Sequence, residues 1–367
     1  MAVLDDTNTM VLETTGREKI TAPTPSAGTA AEGRFACSLA SLPRKSQERY
    51  ELLRSIGFGG MKCVLLVHDR DTDRDIAMAM MPDFKDRSAA DHELFIREAR
   101  ITASLNHPNI VAVHDMGLDD NGAPFYTMAY LRGLPLTTVL KRIRENRPWE
   151  SGYYTLDRRL RIFQRVCNAV NYAHSLNICH LDIKPDNVNI GEFGEVRLFD
   201  WGLACETDKE GHALLNRDGK LRGTPGYMAP EQISINPEAP PAGKTSDIFA
   251  LGALLYTMLG CTPPFSGKNN EEVLLKTMTE KPPRIAANAP KGSYIPVELE
   301  LVCLKAMAKD PADRYASVTE LRMAVMAFQN RSFRKTMAIK QQKHLVSIVI
   351  LFAFILISLL IAYWKNF

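Results

Sequence analysis

Residues 180–187 read His-Leu-Asp-Ile-Lys-Pro-Asp-Asn, and Asp-Trp-Gly follows at 200–202. An acid, a lysine, an amide and a second acid stand here at the spacing that phosphoryl transfer needs. Asp182 can accept a proton from an attacking hydroxyl. Asn187 and Asp200 can hold Mg²⁺ on the phosphates of ATP. Lys184 can lie against the transferred group. A pattern this long and this polar rarely arises by chance; the alternative is an ordinary polar loop.

The chain has 367 residues, enough for about two compact lobes and some extra segments. Its net charge of +3 is too near balance to suggest nucleic-acid binding. The seven cysteines are scattered, odd in number and free of C-x-x-C spacing. That predicts reduced thiols in a cytosolic compartment, with no disulfide framework and no zinc site. Most read as small core fillers, while Cys63 and Cys205 flank candidate active-site loops and could be reactive.

Residues 1–45 are rich in Thr, Ala, Ser, Pro and Gly, show no sustained apolar period and read as a disordered tail. They lack the apolar run of a signal peptide. Order is expected from about residue 46. A small lobe at about 46–128 reads as short strands around one helix at Asp91–Leu105. The remainder, about 129–330, is mostly helical, with 3.6-residue periodicity at Leu156–Ser175, Thr245–Leu259, Glu271–Thr279, Val297–Ala308 and Ser317–Gln329. A β-rich lobe followed by a helical one is an α+β layout.

Residues 345–364 contain no charge. A helix of that length, at ~1.5 Å per residue, spans about 30 Å, the hydrocarbon thickness of a bilayer. Tyr363 and Trp364 sit where an aromatic belt would be, and 331–344 form a basic stretch without acids. The expectation is a single-pass, tail-anchored cell-membrane protein with its main domain cytoplasmic and only 365–367 beyond the span. A buried core helix is the alternative. The basic stretch sets topology and could also touch anionic headgroups.

These motifs resemble the eukaryotic-type protein kinase family and, within it, the bacterial serine/threonine kinases. The resemblance runs in order over about 49–327. Gly223-Thr-Pro-Gly-Tyr-Met-Ala-Pro-Glu231 looks like the end of an activation segment. Asp247 matches the helix acid that braces the catalytic loop, and Arg314 the arginine that pairs with Glu231. Residues 126–130 match the hinge whose backbone would hold adenine. The resemblance implies a bilobal kinase fold, ATP and Mg²⁺ as cofactors, and a protein substrate with a Ser or Thr acceptor. It makes Asp182, Lys184 and Asn187 catalytic, and Asn187 and Asp200 metal ligands. It lines the nucleotide site with Ile56, Gly57, Gly59, Gly60, Lys62, Val64, Ala77, Glu98, Met128 and Tyr130. Lys184 and Thr224 favour Ser/Thr over Tyr acceptors.

Three departures from the family pattern matter. The third strand has Ile76-Ala-Met-Ala79 where the family has Val-Ala-Ile-Lys. A methyl group cannot replace the ammonium that grips the α and β phosphates. The glycine loop, Gly57-Phe-Gly-Gly-Met-Lys62, has Lys62 in place of its third glycine. That is similar to the with-no-lysine kinases, which reach the phosphates from the neighbouring strand. Strands lie ~4.8 Å apart, a gap a lysine stem can cross, so Lys62 could pair with Glu98; the alternative is a solvated surface lysine. Third, Leu181 replaces the arginine that receives an activation-loop phosphate, and Thr207 is the only hydroxyl between Ala204 and Gly223. Activity is therefore expected not to need phosphorylation of that loop. Trp201, in place of the usual phenylalanine, reads as a core packing variant. Two functions stay open: an active Ser/Thr kinase, or a pseudokinase that holds nucleotide or partners without transfer.

Overall fold

The computed structural model describes residues 2–4, 10–12, 47–59, 62–214, 221–234, 236, 238–290 and 293–332. Two compact units divide the chain, 1–321 and 322–367. Of the second, only 322–332 are described, and they are helical.

Within the first 45 residues, β1 (Ala2–Leu4) pairs antiparallel with β2 (Met10–Leu12). The other residues of that tail lie outside the described ones. The small lobe is a five-stranded antiparallel sheet of β3 (Tyr50–Phe58), β4 (Cys63–Asp69), β5 (Arg74–Met80), β6 (Val113–Leu118) and β7 (Pro124–Met128), in the order β3-β4-β5-β7-β6. Helix α1 (Ala89–Ser104) packs against it. A capping box starts α1: the Ser88 hydroxyl accepts from the Asp91 amide while Asp91 accepts from the Ser88 amide. Its buried face carries Phe95, Ile96 and Ala99, and Phe95 and Ala99 cluster with Ala79 of β5, with Met81 and with Tyr126 of β7.

The larger lobe opens with β8 (Gly133–Pro135), α2 (Leu136–Arg144) and α3 (Pro148–Tyr153). The long α4 (Leu156–Ser175) follows, and its predicted bounds and observed bounds coincide. Then come β9 (Ile178–Cys179), β10 (Val188–Gly191), β11 (Val196–Leu198) and β12 (Cys205–Glu206). The helices α5 (Pro230–Ile233), α6 (Lys244–Gly260), α7 (Asn270–Thr279), α8 (Ile285–Asn288) and α9 (Val297–Ala306) complete the lobe. Helix α6 is buried from Ser246 to Gly260, as a helix apolar all round must be. The catalytic-loop motif lies between β9 and β10, directly over this helix.

The bilobal α+β expectation is met, but its membrane-spanning addition is not. Among the described residues no helix is long and apolar enough to cross a membrane. The readings of a transmembrane helix, a bilayer partner and a single-pass membrane location are corrected on that finding. The stretch 345–364 on which they rested, with most of 331–344 and all of 365–367, lies outside the described residues.

Candidate catalytic site

Helix α6 fixes the loop that carries Asp182. The Asp247 carboxylate, with none of its side chain exposed, accepts from the backbone amides of His180 and Leu181 at 2.8 Å each and from the His174 ring at 2.8 Å. Leu181 has φ 63°, a left-handed conformation that a branched side chain adopts only when its surroundings impose it. The Asp247 bonds and the Gln232 amide donating to the Leu181 carbonyl at 2.9 Å impose it here. The Asp182 amide in turn donates to the His180 ring at 3.2 Å.

Asp182 is the centre of a buried polar group. The Thr224 hydroxyl donates to its Oδ1 at 2.7 Å. Lys184 Nζ stands 3.0 Å from its Oδ2 and donates to Thr224 Oγ1 at 2.7 Å. Asn187 Nδ2 donates to the Asp182 carbonyl at 2.9 Å and reaches Oδ2 at 3.3 Å. The amide nitrogen of Asn187 is thus spent on Asp182, which leaves its oxygen as the atom to face a cation. Thr224 is brought in by the turn after Gly223, whose φ of 137° and close approach to Met228 exclude a side chain. The sequence marked Thr224 for acceptor class but not as a direct partner of Asp182.

Asp200 also has a left-handed φ, 63°, and follows Phe199, whose amide is held by the Asn187 carbonyl at 3.0 Å. Its Oδ1 accepts from Lys62 Nζ at 2.7 Å. The same ammonium donates to Glu98 Oε1 on α1. Register explains how Lys62 gets there. Val64 stands directly opposite Ala79 across the β4–β5 ladder. Side chains alternate along a strand, so Lys62, two residues before Val64, shares the face of Ala79. Ala79 is fully buried, and no cation could come from its own position. Lys62 is therefore not a solvated surface lysine; 22% of its side chain is exposed. Burial pulls against its charge, but the carboxylates of Asp200 and Glu98 outweigh that and hold its pKa well above the usual lysine value. Burial likewise opposes ionisation of Asp200, and the Lys62 ammonium overcomes it and keeps that carboxyl below its usual range.

Tyr126 was missed as a site residue. It lies opposite Ala79 on β7, and its hydroxyl donates to Glu98 Oε1 at 2.9 Å. Burial, followed by the Glu98 carboxylate, pushes its pKa well up, so it stays a donor. Nothing in the sequence signals this, because it depends on the β5–β7 register. Gly202 completes the arrangement: a Cβ there would come within 3.3 Å of Glu98 Oε2.

The remaining predicted residues lie mostly on the strands of the small lobe. Ile56 and Gly57 lie on β3, Val64 on β4, Ala77 on β5 and Met128 at the end of β7, with Ala77 paired to Met128. Tyr130 is the last residue of the 126–130 stretch, and its hydroxyl accepts from Arg54 at 3.0 Å. The Gly59 amide donates to the Lys62 carbonyl at 2.9 Å; Gly60 lies outside the described residues. Trp201 is buried against His180, with ring centroids 4.5 Å apart, and its indole nitrogen has no partner among the described residues.

The donor set suits a nucleotide with magnesium. Among the described residues no group of three or more His, Cys, Asp or Glu could hold a metal alone. Mg²⁺ needs no such cage: one carboxylate and one amide oxygen, here Asp200 and Asn187, suffice when phosphate oxygens and water complete the shell.

Comparison with known proteins agrees with this geometry. The family model "Protein kinase domain" matches residues 50–326. The chain is 36% identical over 296 residues to the serine/threonine-protein kinase PknD of Chlamydia felis, covering 75% of this chain and 30% of that protein. It is 34% identical over 308 residues to the protein of the same name from Chlamydia trachomatis serovar D, covering 77% of this chain and 32% of that protein. The chain thus matches about a third of the length of these relatives. With the family model matched over residues 50–326, well over half of its length, this chain belongs to the protein kinase domain family.

Proposed function

We propose that this chain is an active, ATP-dependent serine/threonine protein kinase whose phosphate-positioning lysine is Lys62. The observation that carries the reading is the Lys62 ammonium lying on Glu98 and 2.7 Å from Asp200, on the same sheet face as the buried Ala79. ATP bound with Mg²⁺ would supply the transferable γ-phosphoryl group. Asn187 and Asp200 would hold the metal. Lys62, oriented by Glu98 and Tyr126, would set a positive charge against the α and β phosphates, where fixed charge lowers the barrier most. Ile56, Val64, Ala77 and Met128 would enclose the base, and the backbone at Gly57, Gly59 and Gly60 would cover the phosphates.

Asp182 acts as the base. Its Oδ1 already accepts a hydroxyl hydrogen, that of Thr224, at 2.7 Å, which is the geometry a substrate Ser or Thr would need. Lys184, within 3.0 Å of the same carboxylate, would neutralise charge on the transferred group. The test is phosphate transfer from labelled ATP to a basic Ser/Thr acceptor protein by the full chain with Mg²⁺. Wild type should transfer, and Asp182→Asn should fall by about 100-fold or more. Equal rates for the two would make the chain a pseudokinase.

A further inference from the structure

Strands β9 and β12 join the residue before His180 to the start of the activation segment, five residues after Asp200. Their ladder has two residue pairs, and one is Cys179 opposite Cys205. The two sulfurs stand 3.3 Å apart, and neither residue is exposed. Residues paired directly across an antiparallel ladder have Cα atoms about 4.5–5.5 Å apart, within the ~4.4–6.8 Å that a disulfide requires. Only a shift of the sulfurs of roughly 1.3 Å separates the thiol pair from a bond.

The surroundings give that bond a purpose. Leu181 joins the two cysteines in one apolar cluster with Leu203 and Ala213, at the place where the family keeps its phosphate receptor. Residues 208–222 contain no Ser, Thr or Tyr, and Thr207 is buried. A phosphate therefore cannot fasten this segment to the catalytic loop.

We propose that Cys179 and Cys205 are a redox-sensitive modification site, forming a reversible disulfide that clamps the start of the activation segment to the catalytic loop. The oxidant is a peroxide. Cys205 Sγ attacks one peroxide oxygen, the O–O bond breaks, and one water leaves with the thiol proton. Cys179 Sγ then attacks the Cys205 sulfur, the S–O bond breaks, and a second water leaves. Two thiols lose two electrons and the peroxide gains them. The hydrogen bond from Cys205 and burial push the Cys179 thiol well up, so reaction waits on opening of the short β9–β12 ladder and reports how often the segment lifts.

The test is mass mapping and limited trypsinolysis of the full chain after hydrogen peroxide treatment, with and without dithiothreitol. Neither readout uses phosphate transfer, so failure here and failure of the kinase reading are distinguishable. The expected result is a 179–205 linked peptide lacking two hydrogens and lost on reduction, with cleavage at Lys209 to Arg222 slowed about tenfold by the link. Cys205→Ala should show neither effect. If that variant does not fold, oxidised and reduced wild type decide the matter alone. No 179–205 link in the folded chain, or a link that leaves cleavage unchanged, overturns the proposal.

Discussion

Lys62 stays charged in a partly dry site because two carboxylates and a tyrosine surround it, and they stay in place because it is charged. The signs of the shifts make this testable. Asp200 sits below its usual pKa in the fold, so its share of stability is present above the carboxylate range and is lost as pH falls through the folded value. Lys62 sits above its usual value, so its share is present below the lysine range and is lost only as pH rises through the folded value. Both contributions are whole at pH 7. Lys62→Met should cost about 1–3 kcal/mol there, less than a fully buried pair would because a third of the Asp200 side chain is exposed. The loss should narrow as pH falls through the folded pKa of Asp200, where that carboxylate protonates. Melting temperatures of both proteins at pH 7 and pH 4 check it; a gap independent of pH would contradict it. The Lys62–Glu98 contact was legible in the sequence because a lysine gained and a lysine lost coincide two positions apart on paired strands. Tyr126 was not, because its partner is set by a register no local pattern encodes.

At the scale of elements, α6 reaches the catalytic loop through one carboxylate. Asp247→Ala would leave two buried backbone amides without acceptors, at about 1–3 kcal/mol each. Urea unfolding should show a loss of about 2–5 kcal/mol, and turnover should fall with it, since only the Gln232 bond to the Leu181 carbonyl would then remain of those that hold Leu181 at a left-handed φ. The activation segment makes a separate prediction. Its one early hydroxyl, Thr207, is 7% exposed, with its oxygen buried and without a partner among the described residues. Phosphate mapping after incubation with ATP should find none at 207–222, and phosphatase treatment should leave the rate unchanged. An activating phosphate on Thr207 would contradict the account. That Leu181 stands where the family pattern has arginine was legible; that it packs with Cys179 and Cys205 was not, because those partners meet only when β9 and β12 pair.

Across the whole molecule, the order of strands and long helices was readable from periodicity, since α1, α4, α6, α7 and α9 each carry an apolar stripe or an apolar surround. The short α2 and α3 were not anticipated, being too short for a period to stand out. The apolar run at 345–364 gave an expectation of a membrane span that the described residues do not support. In the larger lobe, Arg314 grips Glu231 through two bonds of 2.6 and 2.7 Å, with both side chains almost wholly buried. Arg314→Met should cost about 3–5 kcal/mol by stranding that carboxylate, and adding Glu231→Leu should recover part of it. A double variant no more stable than the single one would contradict this. The proposed activity rests on the Lys62 ammonium lying between Glu98 and Asp200. The most direct test of that placement is steady-state phosphate transfer by Lys62→Ala beside wild type and Asp182→Asn. A fall of about 100-fold or more, toward the Asp182→Asn floor, is the predicted result; full activity in Lys62→Ala would contradict the account.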